Sequence, residues 1–119
     1  MDLILEVRTG RRRVTMACHG KLIGGEEGDA FRRSALVLMS AFDKMTINLA
    51  GVRSADCGGL GSLASVLGQA VEKGKQVRIT HASPMLTQML HAIGLEQFLE
   101  LPVDAVPPAV TSLDAAAFA

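Results

Sequence analysis

The sequence is poor in aromatic residues and has no excess of charge of either sign. Only 3% of its 119 residues are aromatic, with four Phe and neither Trp nor Tyr. This scarcity argues against single-stranded nucleic acid as a partner, because its bases stack on aromatic side chains. Twelve basic and twelve acidic residues give a formal net charge of zero, which favours neither nucleic acid nor an anionic membrane. We expect no nucleic-acid partner, and the basic run at residues 11 to 13 is interpreted as a solvated turn.

Metal-binding motifs and long apolar segments are also missing. The cysteines, Cys18 and Cys57, form no CxxC pair, and the three histidines have no metal-ligand spacing, so we expect no metal and no cofactor. No apolar run approaches the roughly 20 residues of a membrane helix, which argues against direct membrane insertion. The first residues lead into a strand pattern and not into a signal peptide. The expected location is cytoplasmic, where both thiols stay reduced.

Hydrophobic residues make up 49% of the chain, which is enough for a buried core. The length suits one domain and is too short for two, so we expect a single domain over residues 1 to 119. Since aromatic residues are scarce, this core has to be built from aliphatic side chains and methionine.

Alternating apolar residues near the start of the chain predict two strands joined by a turn at Thr9-Gly10. The alternating positions are Leu3, Leu5 and Val7, then Val14, Met16 and Cys18. A connection this short predicts an antiparallel hairpin. Two further strands are predicted at residues 46 to 49 and 77 to 81, the latter with His81 as a core residue. A short edge strand is predicted at residues 98 to 101.

Three apolar stripes at helical spacing predict helices between and after these strands. The first helix runs from about Gly28 to Lys44. Gly74 closes the second in a left-handed conformation, and Ser83 caps the third with Pro84 at its first position. The stripes are Phe31, Ala35, Leu38 and Phe42; Leu60, Leu63, Val66, Leu67, Ala70 and Val71; and Leu86, Met89, Leu90 and Ile93. A fourth helix is predicted near residues 108 to 117.

This order of elements predicts an α/β fold. Helices between strands require right-handed crossovers, which leave parallel neighbours, whereas the opening hairpin adds an antiparallel edge. We expect a mixed sheet of four to five strands with three to four helices mainly on one face. The free edge of the hairpin makes a homodimer an open expectation, although the three arginines at the turn would oppose such pairing.

The segment that carries most functional information is Ser54-Ala55-Asp56-Cys57-Gly58-Gly59-Leu60, in a loop predicted from Gly51 to Gly59. It joins a buried strand to a helix, and sites in open α/β sheets gather at the carboxyl ends of strands. Small residues allow close approach of a partner, and the free N–H groups of the helix attract an anion. Asp56 is a candidate helix cap. The plain alternative is a tight turn in which the glycines serve geometry alone.

No motif of a common enzyme class is present. The chain contains no GxxxxGK[ST], GxGxxG or GxSxG sequence. A thiol at a helix N-terminus is often reactive, so Cys57 with His81 as its base stays open. Asp56 beside Cys57 would oppose thiolate formation, and a small buried hydrophobe is the commoner role of a free cysteine. We expect no enzymatic activity.

Residues 47 to 61, from Ile47-Asn48-Leu49-Ala50-Gly51-Val52 to Asp56-Cys57-Gly58-Gly59-Leu60-Gly61, resemble the STAS domain family. This family comprises anti-sigma-factor antagonists and their relatives in sulphate transporters. Further matches are Gly20-Lys21-Leu22, Gly74-Lys75, Ser83-Pro84 and the stretch from His91 to Leu95. The resemblance extends from about residue 3 to residue 113.

The resemblance implies a regulatory module of bacterial signalling. Antagonists of this family bind a serine-kinase-type anti-sigma factor, and phosphorylation of the hydroxyl residue after the motif Asp breaks the complex. Cys57 occupies this phosphosite-equivalent position, and a thiol is not a substrate for an ordinary serine kinase. A second departure is at Ile23-Gly24-Gly25, where relatives usually carry an Asp. The predicted partner-binding residues are Ser54, Asp56, Cys57, Gly58, Gly59, Leu60 and Ser83.

Two alternatives to an anti-sigma-factor antagonist remain open at this point. Relatives of this kind also serve as accessory subunits of membrane transporter complexes, where the partner is the cytosolic face of an ATPase. The other alternative, from a different class of protein, is a redox sensor that uses Cys57.

Overall fold

The computed structural model describes residues 3–100, which form a four-stranded sheet and three α-helices. The strands are β1 (Leu3–Thr9), β2 (Arg13–Leu22), β3 (Lys44–Ala55) and β4 (Gln76–Thr80), and the helices are α1 (Glu26–Ala41), α2 (Cys57–Glu72) and α3 (Pro84–Ala92). The strand order is β1-β2-β3-β4, with β1 and β2 antiparallel and the other pairs parallel. The predicted mixed α/β fold is confirmed.

Alternation along the strands divides the sheet into a buried inner face and an outer face. β2 buries Val14, Met16 and Cys18, and β3 buries Met45, Ile47 and Leu49, whereas the residues between them are partly exposed. Since successive side chains of a strand point to opposite sides, the buried set shares one face. The helices cover this inner face, and no helix within residues 3–100 covers the outer one.

The helices bury the apolar stripes that the sequence contains. α1 turns Phe31, Ala35 and Met39 towards the sheet, and α2 does the same with the stripe that starts at Leu60. Helices α1 and α2 also pack on each other, closely enough that a Cβ at Gly28 would lie 2.7 Å from Ser62 Oγ. The predicted cap of α3 is confirmed, because the Ser83 hydroxyl accepts a hydrogen bond from the Leu86 N–H at 3.1 Å.

The loop predicted from Gly51 to Gly59 is wrong, because β3 continues to Ala55 and α2 begins at Cys57. Two register shifts against β2 each place one extra residue in β3, between Asn48 and Gly51 and between Val52 and Ser54. Such β-bulges break the simple alternation on which the sequence prediction relied. Residues 51 to 55 pair with β2 alone, since the pairing of β4 ends at Asn48.

Other predicted details are also wrong. Lys44 does not end α1 but begins β3, because the chain leaves the helix in an extended conformation at Phe42. His81 is exposed and not in the core, because the backbone turns into the left-handed region there, at φ 59°, and β4 ends at Thr80. Val71 is 65% exposed and lies off the buried stripe of α2.

The edge strand predicted at residues 98 to 101 is also wrong for the residues that the structure describes. A short 3₁₀ helix, Glu96–Phe98, precedes a single parallel bridge between Leu99 and Ile79. The N–H of Glu100 donates to the carbonyl of Ile79 at 2.8 Å, so the chain touches the free side of β4 without forming a strand. The helix predicted near residues 108 to 117 lies outside the described residues.

Removal of the one fully buried aromatic side chain of α1 tests the core. We expect Phe31→Ala to lower the free energy of unfolding by about 3–5 kcal/mol, because it leaves a cavity between α1 and the sheet. Val37→Ala is the matched control on the same helix, where the side chain is 68% exposed and the change should stay within about 0.5 kcal/mol. Urea denaturation of both variants measures the difference, and equal losses would contradict this account of the core.

Candidate functional site

Two chain segments meet where β2 and β3 extend beyond β4. One is the connection from β2 to α1, which contains Gly24, and the other is the start of α2, residues 56 to 59. We call Gly24 and residues 56 to 59 together the Asp56 corner. It lies at the carboxyl end of the longest strand, which is where open α/β sheets place their sites.

Asp56 connects the two segments. Its Oδ1 atom accepts hydrogen bonds from the N–H of Gly59 at 2.8 Å and from the N–H of Gly24 at 3.0 Å. Its own N–H donates to the carbonyl of Leu22 at 3.3 Å. The predicted cap of α2 is therefore present, and the same carboxylate oxygen also fixes the neighbouring loop.

The glycines of the corner allow two backbones to touch. A Cβ at Gly58 would lie 2.7 Å from the Cα of Gly24, and a Cβ at Gly59 would overlap the carbonyl oxygen of Leu22. Any larger residue at Gly59 would have to push α2 away from the end of β2. The glycines here serve close packing within the chain, which the sequence had left open as the plain alternative.

The predicted partner-binding residues fall into an exposed and a buried group. Asp56, Cys57 and Gly58 are exposed, whereas Gly59 and Leu60 are buried and face the protein interior. The accessible surface of the corner is therefore the Asp56-Cys57-Gly58 tripeptide. Ser54 is half-buried on β3, opposite Lys21 of β2 and just before the corner.

Ser83 lies elsewhere in the fold. It follows β4, whose last residue Thr80 is paired with Asn48 of β3. β3 itself continues for seven residues beyond Asn48 and ends at Ala55. Seven residues of extended strand correspond to about 20 Å, which is the offset between the ends of β4 and β3, and Ser83 lies three residues beyond the end of β4. The Ser83 hydroxyl caps α3, and the structure shows no hydrogen bond from it to the Asp56 corner.

Two features of the corner were missed by the sequence analysis. Gly24 was named from the sequence only as part of a departure from the family pattern, yet the N–H of Gly24 donates to Asp56. The Gly24-Gly25 pair was the available signal. The second is the acidic edge, because α1 begins at Glu26 and its first turn carries Glu26, Glu27 and Asp29. Asp29 is already paired with Arg32 at 3.2 Å. Lys21, which lies opposite Ser54, and the exposed Arg53 place positive charge at the same end of the molecule.

The two thiols lie in opposite environments. Cys18 is fully buried in the core, and burial raises the pKa of its thiol to about 12. Cys57 is exposed at the first position of α2. Among residues 3–100 no group of three His, Cys, Asp or Glu side chains is placed to hold a metal ion. None of the described helices is long and apolar enough to cross a membrane.

Comparison with protein families gives one match. Residues 7–103 match the family model described as "Mlab, STAS domain". The match covers most of the chain and includes the Asp56 corner. No curated protein matches the chain.

Solved structures show the same fold at low sequence identity. The phosphorylated form of SpoIIAA, a cell fate determinant from Bacillus, has a TM-score of 0.69 at 14% identity and covers 90% of this chain and 99% of its own. An anti-sigma factor antagonist from Mycobacterium paratuberculosis has a TM-score of 0.68 at 17% identity and covers 93% of both chains. In SLC26A9 the match has a TM-score of 0.61 at 14% identity and covers 87% of this chain and 20% of that one.

A pair of glycine substitutions tests the close packing of the corner. We expect Gly59→Ala to destabilise the fold by about 2 kcal/mol or more, because its methyl group would overlap the carbonyl of Leu22. Gly61→Ala, on the same helix and with open space around it, should stabilise by about 0.5–1 kcal/mol through helix propensity. Thermal and urea unfolding measure both, and a neutral Gly59→Ala would contradict the described contact.

Thiol labelling tests the two cysteine environments. In the folded protein at pH 8 we expect a thiol reagent to modify Cys57 readily, because its side chain is exposed. Cys18 should react only after denaturant is added, because it is buried and its raised pKa of about 12 keeps the thiol protonated. Cys57→Ser should abolish the reaction of the folded protein. Equal reaction of both thiols without denaturant would contradict the structure.

Proposed function

The chain belongs to the STAS domain family, and from this premise we propose that it is a regulatory module that binds a partner protein and catalyses no reaction. The observation that carries the proposal is the exposed Asp56-Cys57-Gly58 tripeptide. The Asp56 carboxylate holds the backbone of this tripeptide in place, because it accepts hydrogen bonds from the N–H groups of Gly24 and Gly59. A surface that is already ordered loses little conformational entropy on binding, which favours a protein interface.

We propose that the partner is a serine-kinase-type anti-sigma factor and that binding takes place in the cytosol. Support comes from the solved structures of the same fold, among which are an anti-sigma factor antagonist and the phosphorylated SpoIIAA.

Cys57 gives this module a different response to such a kinase. A phosphate at this position would add about −1.5 to −2 charges next to the Asp56 carboxylate. A partner surface that fits the neutral side chain would not accommodate this charge, so the complex would dissociate. The thiol has no hydroxyl to accept the phosphoryl group. We therefore propose that this module still binds its partner under conditions in which the kinase phosphorylates relatives that have a hydroxyl residue at this position and thereby releases them.

Substitutions at Cys57 test the partner and the absent switch together. In affinity capture from a lysate of the source organism, we expect the unmodified chain and Cys57→Ser to retain the kinase-type anti-sigma factor. Cys57→Asp should weaken binding at least about tenfold, because it places a second carboxylate in the contact. With ATP, the Cys57→Ser chain should gain phosphate at position 57 and dissociate, whereas the unmodified chain should do neither.

The control adds the same charge far from the corner. Val71→Asp lies near the other end of α2, where the side chain is 65% exposed, and should leave binding unchanged. If Val71→Asp and Cys57→Asp weaken capture equally, the corner is not the contact surface. Phosphorylation of the unmodified chain at Cys57 would contradict the proposed loss of the switch.

A second candidate function is an accessory subunit of a membrane transporter complex, bound to its ATPase. The observation that favours it is the match to SLC26A9, where this fold forms 20% of a longer chain. Neighbouring genes separate the two candidates. A permease and an ATPase gene beside this one would favour the transporter, and a kinase and a sigma factor gene would favour the antagonist.

A further inference from the structure

A group of cations lies at the end of the sheet opposite to the Asp56 corner. The turn between β1 and β2 carries Arg11 and Arg12, β2 begins at Arg13 and β3 begins at Lys44. These four side chains and that of Arg78 in β4 are all exposed. Arg13, Lys44 and Arg78 alternate with inward residues, so they share the outer face that no helix within residues 3–100 covers. We call these five residues the basic trough.

None of the five cations forms an ion pair within residues 3–100. The carboxylates that border the same depressions are those of Asp43 and Glu100. Asp43 is already engaged by Lys75, with its Oδ1 at 3.7 Å from Lys75 Nζ. In a chain whose formal net charge is zero, this part of the described surface carries an excess of positive charge.

Two of the cations are placed directly against each other. Arg13 and Lys44 are register partners on the parallel strands β2 and β3, and both face outward. Like charges on directly opposed strand positions destabilise a sheet. Arg13 and Lys44 thus place like charge at one position of the sheet, and a counter-charge supplied from outside the chain would stabilise this arrangement.

The cations surround a concave surface. Arg13 and Lys44 border both a depression of about 640 Å³ at the hairpin turn and a smaller one of about 180 Å³ on the sheet. The smaller depression continues past Thr46 and Gln76, whose side chains can donate further hydrogen bonds. A depression shared by two strands and a turn has room for a few residues of an extended chain.

We propose that the basic trough binds an acidic segment of a partner protein. Four of its five cations are arginines, whose planar guanidinium groups hold carboxylates through paired hydrogen bonds. A flat bilayer surface would not enter a depression, which favours a peptide chain over a lipid headgroup layer. Nucleic acid would gain charge contacts but no stacking on aromatic rings, because none of the residues that line the two depressions is aromatic.

The trough is far enough from the Asp56 corner for both to be occupied at once. Lys44 and Ala55 are the two ends of β3, and a strand of that length spans about 35 Å. The domain would then join two proteins, or hold one large partner at two points. This inference does not depend on the identity of the partner at the Asp56 corner.

Fluorescence anisotropy with a labelled peptide of eight glutamates tests the trough. We expect Arg13→Gln/Lys44→Gln to weaken peptide binding about fivefold at low salt. Arg33→Gln/Lys73→Gln, which removes the same charge from exposed positions on the helical side, should change it less than about twofold. Lys44→Gln alone should leave the melting temperature unchanged or raise it, because the repulsion with Arg13 is relieved.

The remaining arms distinguish other occupants and the proposed function. NMR amide shifts on peptide addition should cluster at residues 10 to 13, 44 to 46 and 76 to 78. Cys57→Asp should leave peptide binding intact, so a failure at the corner and a failure at the trough are separate results. Equal weakening by both double variants, shifts centred elsewhere, or binding to anionic phosphatidylglycerol vesicles but not to the peptide would overturn the proposal.

Discussion

One carboxylate oxygen holds the candidate site together. Asp56 Oδ1 accepts the N–H of Gly59, which lies in the first turn of α2, and the N–H of Gly24, which belongs to the connection before α1. Both helices therefore begin at positions fixed relative to the same side chain. Because Gly58 and Gly59 bring the two backbones into contact there, the exposed Cys57 is presented on a rigid support and not on a free loop. The proposed partner-binding surface depends on this arrangement.

The topology explains why the molecule offers two separate surfaces. All three helices lie against the inner face of the sheet, so the outer face stays open within the described residues. β3 is the longest strand, and its two ends carry the basic trough and the Asp56 corner. Positive charge gathers around Arg13 and Lys44, whereas the other end of β3 carries charges of both signs, with Asp56 beside Arg53 and Lys21.

The sequence predicted the elements of the sheet well and their ends less well. Periodicity identified the hairpin, the three helices and the caps at Asp56 and Ser83, because each depends on residues that are close in the chain. It failed where pairing between strands decides the outcome. β3 reaches Ala55 because β2 offers partners to that point, and His81 leaves the core because the backbone turns there. The contact between Gly24 and Asp56 joins residues 32 positions apart, which no local pattern reveals.

The two extra residues of β3 have a consequence for chain length. Each bulge reverses which side of the sheet the following residues face, so the inward positions step from Leu49 to Val52 and then to Ala55. The second bulge cancels the reversal that the first one causes. With both bulges present, Ala55 pairs with Leu22 at the end of β2, and Asp56 follows directly after this pair. Deletion of one of the two extra residues would turn the Asp56 carboxylate to the opposite face of the sheet, away from α2. Deletion of both extra residues would keep the direction of Asp56 and shorten β3.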